Sequence, residues 1–318
     1  MRLPLSLAAE VAVARAGGRL SRLAGAGGGT TIPGKLLWKL DAGAIDRLAR
    51  ELPLGSAVVS ATNGKTTTAA MAASILGPRL TLAHNRAGAN LVSGVASALL
   101  DARGAQLGLF EVDEGALPEV LARVQPRAVC LGNLFRDQLD RYGELELVAE
   151  GWRAALERPA ADSVLAVNGD DPLVANLAGD RAGAIFFGVD DPSCARPFLQ
   201  HAADSKHCVR CGTPYVYAAA YIGHLGDYRC PACGHSRPPL DVAAREIELR
   251  GLEPTSFRLE TPAGTMPVSL RLPGLYNVYN ALAAAALAMS LGSSLEEVAS
   301  GLESFEAAFG RLERIDLG

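Results

Sequence analysis

The stretch "SAVVSATNGKTTTAAM", residues 56–71, decides the fold. An apolar, partly β-branched run reads as a buried strand, a turn of small residues follows, and Lys65–Leu76 reads as a helix. That order aims backbone N–H groups and the positive end of a helix dipole at one spot, which suits a phosphate group. Lys65 is placed to contact the β- and γ-phosphates of a nucleotide, and Thr66 to offer a hydroxyl to Mg²⁺. The general phosphate-loop pattern wants a glycine five residues before Gly64, and here that position is Val59. The loop is therefore either a specialised nucleotide site or a broken one.

Working outward, short β-rich runs alternate with helical stretches. "RLTLAHN", "AQLGLFEV", "RAVCLGN" and "SVLAVNGDD" read as strands, and "ANLVSGVASALLDA", Pro118–Val124 and Leu145–Glu157 as helices. Apolar strands alternating with helices predict an α/β fold with a mainly parallel sheet flanked by helices. Chemistry in such sheets gathers at the carboxyl ends of strands. "LFEVDEG" puts Glu111 at such an end, with Asp113 and Glu114 just after it. Glu111 is the candidate Mg²⁺ ligand opposite Thr66.

Two further regions depart from this rhythm. A cysteine-bearing insertion occupies about 203–238, and "REIELRGLEPTSFRLETPAGTMPVSLRLPG" alternates like a smaller antiparallel section with Gly/Pro turns. An alanine-rich helix, "NVYNALAAAALAMSLG", comes next. At the N-terminus, "MRLPLSLAAEVAVARAGGRL" reads as an amphipathic helix, because Glu10 and Arg15 interrupt its apolar run. "GAGGGTTIPGK" reads as a loop.

The insertion carries C-x₂-C at Cys208 and Cys211 and again at Cys230 and Cys233. This is the spacing of a zinc ribbon. Four thiolates close a tetrahedral coordination sphere and leave no position for a catalytic water, so the predicted zinc is structural. His207 and His235 flank the pairs and read as surface residues. Cys130 lies in an apolar strand and reads as core, and Cys194 has no evident partner.

The 318 residues, about half of them apolar, suffice for a large core. A net charge of −4 gives no electrostatic reason to expect nucleic acid as a partner. No apolar run is long enough to span a membrane, and the predicted location is cytoplasmic. Lys35, Lys39, Lys65 and Lys206 are the chain's only lysines, so the loop lysine stands out.

Beyond the loop, a set of ordered motifs resembles the Mur ligase superfamily, which tolerates the missing glycine. "TNGKTTT" is similar to its ATP loop. "NLFRDQLDRYG" (residues 133–143) resembles N-x-x-x-D-H-L-D, and "VNGDDP" resembles N-x-D-D-P. "PGLYNVYNALAA" is similar to the G-x-x-N-x-x-N-A-x-A helix start, and "FGRLERI" to the arginine motif that closes the central domain. The resemblance implies an ATP- and Mg²⁺-dependent ligase in which Thr62, Asn63, Gly64, Lys65, Thr66 and Thr67 hold phosphates. It implies Thr66 and Glu111 at Mg²⁺, with Lys65 and Glu111 as the catalytic pair. Asn277 and Asn280 would meet adenine, Arg311 would reach the phosphates or ribose, and Asn168 and Asp170 would contribute unless they only shape a turn.

Within that superfamily, the Cys₄ insertion, "GGGTTIPGK" and "HNRAGANLVSGV" resemble the MurT-type synthetase subunit of lipid II isoglutaminyl synthase. That resemblance implies activation of the D-glutamate α-carboxylate of the lipid II stem peptide as an acyl phosphate, followed by amidation to D-isoglutamine. The ammonia would come from a GatD-type glutamine amidotransferase subunit, and a lipid-borne substrate would imply peripheral contact at the inner face of a bacterial membrane. Two positions depart from the peptide ligases: Gln138 replaces a metal-binding histidine, and no lysine from 66 to 205 is available for carbamylation. The second metal site of those ligases cannot be built that way, and the number of Mg²⁺ ions is left open.

The expected organisation is an N-terminal helical segment and Gly-rich loop over 1–45 and a Mur ligase central domain over 46–318. The family's C-terminal domain is expected to lie outside this chain, leaving the chain alone inactive in amidation. Three other readings share features: a folylpolyglutamate-type ligase, a generic P-loop ATPase or GTPase, and a nucleic-acid-binding ribbon protein. The ribbon and "DQLD" oppose the first. The absence of N-K-x-D opposes the GTPase reading, and the acidic balance opposes the last.

Overall fold

The computed structural model describes residues 5–23, 31–85, 88–136, 145–157, 161–179, 181–197 and 204–306. These residues form two compact units.

The first unit comprises residues 1–60, 79–129 and 146–163. Its strands β1 (Ser56–Ser60), β2 (Leu82–His84) and β3 (Leu107–Glu111) are parallel, with β3 in the middle. Every residue of β1 and β3 is buried, as in a parallel strand covered on both faces. Val59 pairs with Glu111, and its carbonyl accepts the Val112 N–H at 2.9 Å. The position where a general phosphate loop has glycine is therefore part of a strand, where a β-branched residue fits.

The N-terminal amphipathic stretch is helical over Leu5–Leu23, and a helix occupies Ala44–Arg50. The reading of "GAGGGTTIPGK" as a loop is corrected at its end. Ile32–Leu40 is a helix, with Pro33 in its first turn where a missing N–H costs nothing. Residues 24–30 lie outside the described set. Gly34 allows this helix to lie on the helix Val92–Asp101. A Cβ there would meet the Ser93 carbonyl oxygen at 1.9 Å, and the Gly34 N–H donates to Ser97 Oγ at 3.0 Å. Helices Leu117–Val124 and Leu145–Glu157 complete the unit, and Trp152 buries its ring while its Nε1–H donates to the Glu114 carbonyl at 2.9 Å.

The second unit comprises residues 61–78, 130–145 and 164–318, and strand β4 (Ala128–Leu131) carries the chain into it. Strands β5 (Val164–Asn168) and β6 (Ile185–Val189) are parallel. The sequence reading missed β6, whose five residues are too short a run for periodicity to distinguish. Strands β7 (Val216–Ile222) and β8 (Leu225–Arg229) make a separate antiparallel hairpin inside the cysteine-bearing insertion. Strands β9 (Val242–Glu248), β10 (Thr255–Thr261) and β11 (Gly264–Leu270) form the antiparallel section. β9 also pairs with β6 in parallel, so this section extends the parallel sheet.

The predicted helix after the phosphate loop spans Lys65–Leu76, and the alanine-rich helix spans Leu275–Ser290. Alanines 281, 283–286 and 288 of the latter are at most 2% exposed. Their small side chains bring its backbone close to β5, β6 and the helix Lys65–Leu76. A helix at Leu295–Glu303 begins with a capping box in which Ser294 and Glu297 satisfy each other's backbone N–H groups. No helix among the described residues is long and apolar enough to cross a membrane.

Candidate functional site

The loop leaves β1 and turns at Gly64, whose φ of +84° lies in the left-handed region. Two neighbours fix its shape. Asn133, two residues past the end of β4, accepts the Asn63 N–H on Oδ1 at 2.9 Å and donates Nδ2 to the Asn63 carbonyl at 3.0 Å. The Thr62 N–H reaches the Asn133 carbonyl at 2.8 Å, and Thr62 Oγ1 accepts the Phe135 N–H at 3.0 Å. Lys65 is 8% exposed, and its ammonium donates to the carbonyls of Ala61 at 2.9 Å and Thr62 at 3.1 Å. Carbonyls at the end of a strand thus hold the cation beside the first turn of a helix, whose N–H groups have no intrahelical acceptor.

A cavity of about 570 Å³ opens over this loop, within the range of small-molecule sites. Asn63, Gly64, Thr66 and Thr67 line one side. Asn277 and Asn280, one turn apart on the helix Leu275–Ser290, line another beside Tyr276 and Tyr279. The Asn280 amide donates to Asn277 Oδ1 at 3.2 Å, and Asn277 donates to the Pro273 carbonyl at 2.8 Å. Phe135, Ile222 and Leu225 supply an apolar wall.

Asn168 does not line this cavity; its Oδ1 accepts the Asp170 N–H at 3.0 Å and closes a turn. Asp170 is fully buried and accepts from Tyr279 Oη at 2.7 Å, the Val189 N–H at 2.8 Å and Arg237 at 3.3 Å. Burial pushes its carboxyl up to about 6, against the pull of Arg237 and these hydrogen bonds. Glu111 belongs to the first unit, buried at the end of β3. Its N–H donates to Asn85 Oδ1 at 2.9 Å and its carbonyl accepts Asn85 Nδ2 at 2.7 Å. Asp113 and Glu114 are buried beyond it. Arg311 and Gln138 lie outside the described residues.

The four predicted cysteines come together. The sulfurs of Cys208, Cys211, Cys230 and Cys233 all lie within 4.8 Å of one another, with Cys208–Cys233 at 3.5 Å and Cys211–Cys230 at 3.4 Å. A tetrahedral zinc with four thiolates sets sulfurs about 3.8 Å apart, so the set fits. Two knuckles repeat one local design. The N–H of each leading cysteine reaches the carbonyl five residues on (Thr213 or His235), and Gly212 or Gly234 turns with positive φ. The Thr213 hydroxyl and N–H hold the Cys211 thiol down to about 6. Cys208 falls to about 7 despite burial, through the backbone N–H groups of Arg210 and Cys211 and the Tyr215 hydroxyl. Both shifts favour the thiolate that metals require, whereas, against the pull of the His235 N–H, desolvation and the neighbouring cysteine sulfurs push the Cys233 thiol up to about 12.

One histidine reading is corrected: His235 is buried, not superficial, with Nδ1 at 2.7 Å from Tyr215 Oη and 3.9 Å from Cys208 Sγ. His207 is exposed. Cys130 is wholly buried in β4, where burial raises its thiol to about 12, so it is core. The sequence reading did not single out Asn133 as a site residue, although it heads a quoted motif. Phe135, Ile222, Leu225 and Tyr279 carry no sequence signal, because apolar and aromatic residues are equally at home in a core.

Residues 59–228 match the family described as Mur ligase middle domain. The MurT subunit of lipid II isoglutaminyl synthase (glutamine-hydrolyzing) from Streptococcus pneumoniae is 32% identical over 94% of this chain and 66% of its own length. Its namesake from Staphylococcus aureus N315 is 29% identical over 90% of this chain and 63% of its own. The chain thus spans just under two thirds of these relatives. Among solved structures, a pseudomurein peptide ligase type C from Methanothermus fervidus superimposes with a TM-score of 0.69 at 27% identity, covering 82% of this chain and 51% of that one.

Proposed function

We propose, for a chain that belongs to the Mur ligase family, an ATP-dependent ligase that amidates a carboxylate of a peptidoglycan precursor. One observation carries the reading: a single cavity joins the phosphate loop, the Asn133 clamp and the Asn277–Asn280 pair, three motifs separated in sequence. The relatives named as lipid II isoglutaminyl synthase subunits support the substrate, the D-glutamate α-carboxylate of the lipid II stem peptide.

A carboxylate resists ammonia because oxide is not a viable leaving group. Transfer of the γ-phosphoryl group from ATP to a carboxylate oxygen releases ADP and leaves an acyl phosphate. Ammonia then attacks the carbonyl carbon, loses a proton and expels phosphate, giving D-isoglutamine. Lys65 and the first-turn N–H groups of Thr66 and Thr67 neutralise charge on the phosphates, the main protein contribution in phosphoryl transfer. Asn277 and Asn280 offer amides to the adenine edge. Thr66 and Glu111 are the residues that would hold Mg²⁺, which would supply positive charge to offset that of the phosphates. Arg311 is assigned to the phosphates or ribose on the motif alone.

The relatives' naming as subunits of a glutamine-hydrolysing enzyme supports a glutaminase partner as the ammonia source. The four cysteines would hold a structural zinc ion, with no position open for a catalytic water. Depletion of the protein from the cells that carry it tests the function. D-isoglutamine in their stem peptides should give way to D-glutamate, and unchanged amidation would refute the proposal.

A further inference from the structure

The cysteine-bearing insertion does not end at its metal knuckles. Cys230 directly follows β8, and the β7–β8 hairpin runs from there to a two-residue turn at Gly223 and His224. The residues flanking this turn, Ile222 and Leu225, pair across the hairpin and line the 570 Å³ cavity beside Phe135. His224 is completely buried. Its ring lies 4.7 Å from the Phe135 ring between centroids, and its Nε2 lies 3.2 Å from Asp171 Oδ2, off the line of a straight hydrogen bond.

Each of these contacts is constrained from behind. Asp171 Oδ2 accepts the Leu134 N–H at 2.9 Å, and its Oδ1 caps the helix Pro172–Ala178. The carboxylate thereby lies between the segment leading to Phe135 and the imidazole, whose ring packs on Phe135 at a 51° tilt. Gly223, at φ +59°, has room for no side chain on that face: a Cβ would meet a Phe135 ring carbon at 2.7 Å. Phe135 in turn donates its N–H to Thr62 of the phosphate loop. The hairpin is fixed at its base by Arg237, which contacts Asp170, Asp190 and Asp227, and along its length by Tyr217, whose hydroxyl lies 3.0 Å from the His224 carbonyl.

We propose that the tip of this hairpin is a wall of the nucleotide pocket, and that His224 is a positioning residue that holds Phe135 against the bound base. This rests on the ATP-binding reading above. A flat apolar ring and two aliphatic side chains share the cavity with the Asn277–Asn280 amides, which suits a heterocycle whose edge the amides read. His224 touches neither the cavity nor the nucleotide. It acts through Phe135, and through Asp171 on the segment that carries it.

The test is the affinity of the purified protein for a fluorescent ADP analogue, with metal content and thermal melting recorded for each variant. His224→Leu should weaken binding about tenfold, through loss of the ring packed on Phe135 and of the 3.2 Å approach of Nε2 to Asp171. His224→Gln, which returns an amide N–H near the position of Nε2, should restore affinity to within about threefold of the parent. Ile222→Ala, at a half-buried tip residue, should weaken binding several-fold with the metal retained, and it remains informative if His224→Leu does not fold. Lys65→Ala separates the two claims. If the parent binds the analogue and Lys65→Ala does not, the nucleotide reading stands. Parent-like affinity in folded His224→Leu or in Ile222→Ala would then overturn the hairpin proposal alone.

Discussion

A Cβ placed on Gly64 would lie 2.0 Å from Asn280 Oδ1. The phosphate loop and the alanine-rich helix therefore meet at a point that only glycine fills, and the same glycine turns with φ +84°. Val59, where the general pattern has its upstream glycine, continues the strand instead.

Substituting that glycine should cost both fold and ligand. Gly64→Ala incurs about 1–2 kcal/mol of left-handed strain and about 1–3 kcal/mol of overpacking. Nucleotide affinity should fall at least tenfold, as measured by titration with an ADP analogue. Asn280→Ala in the same chain removes the clash but not the strain, so it should recover part of the stability and little of the affinity. Full recovery of both would show that the contact carries no more than bulk.

Asp170 gives stability a pH dependence. Its folded carboxyl, near 6, sits above the unfolded value of 3.8. The folded state therefore takes up this proton more readily than the unfolded chain does. The contribution is fully present below about 4 and is lost as pH rises through about 6. Urea melts at pH 7 and pH 5 should show a smaller loss, or a net gain, on acidification in the parent than in Asp170→Asn, which cannot take up the proton. Parallel pH profiles for the two proteins would contradict this.

Metal content tests the four cysteines. Protein purified without chelator should carry about one zinc per chain. Cys208→Ser should lose that metal and raise hydrogen exchange around the knuckles, where the buried cluster consists of Tyr215, Tyr228 and the two inner cysteines with Tyr217 packed against it. Zinc-free parent with the hairpin protected from exchange would count against a metal-dependent fold.

The parts of this site legible in the sequence were those with a polar or conformational signature. Asn63, Gly64 and Lys65 announce a phosphate loop because strand, turn and helix meet there. The cysteines announce themselves by spacing. Glu111 is marked by its place at a strand end. The apolar wall was not legible: Phe135, Ile222 and Leu225 resemble any core residues until the hairpin brings them together. His235 was misread because its neighbours in sequence are polar, while its burial depends on Tyr215 and Tyr228 packing over it. β6 escaped because five residues carry too little periodicity, and its pairing with β9 shows only in three dimensions.

The central claim, that this protein uses ATP at the Lys65 loop to amidate stem peptides, is tested most directly in cells whose only copy is Lys65→Ala. Mass spectrometry of their muropeptides should show D-glutamate in place of D-isoglutamine, with the variant present at the parental level. Retention of parental D-isoglutamine in those cells would contradict the account.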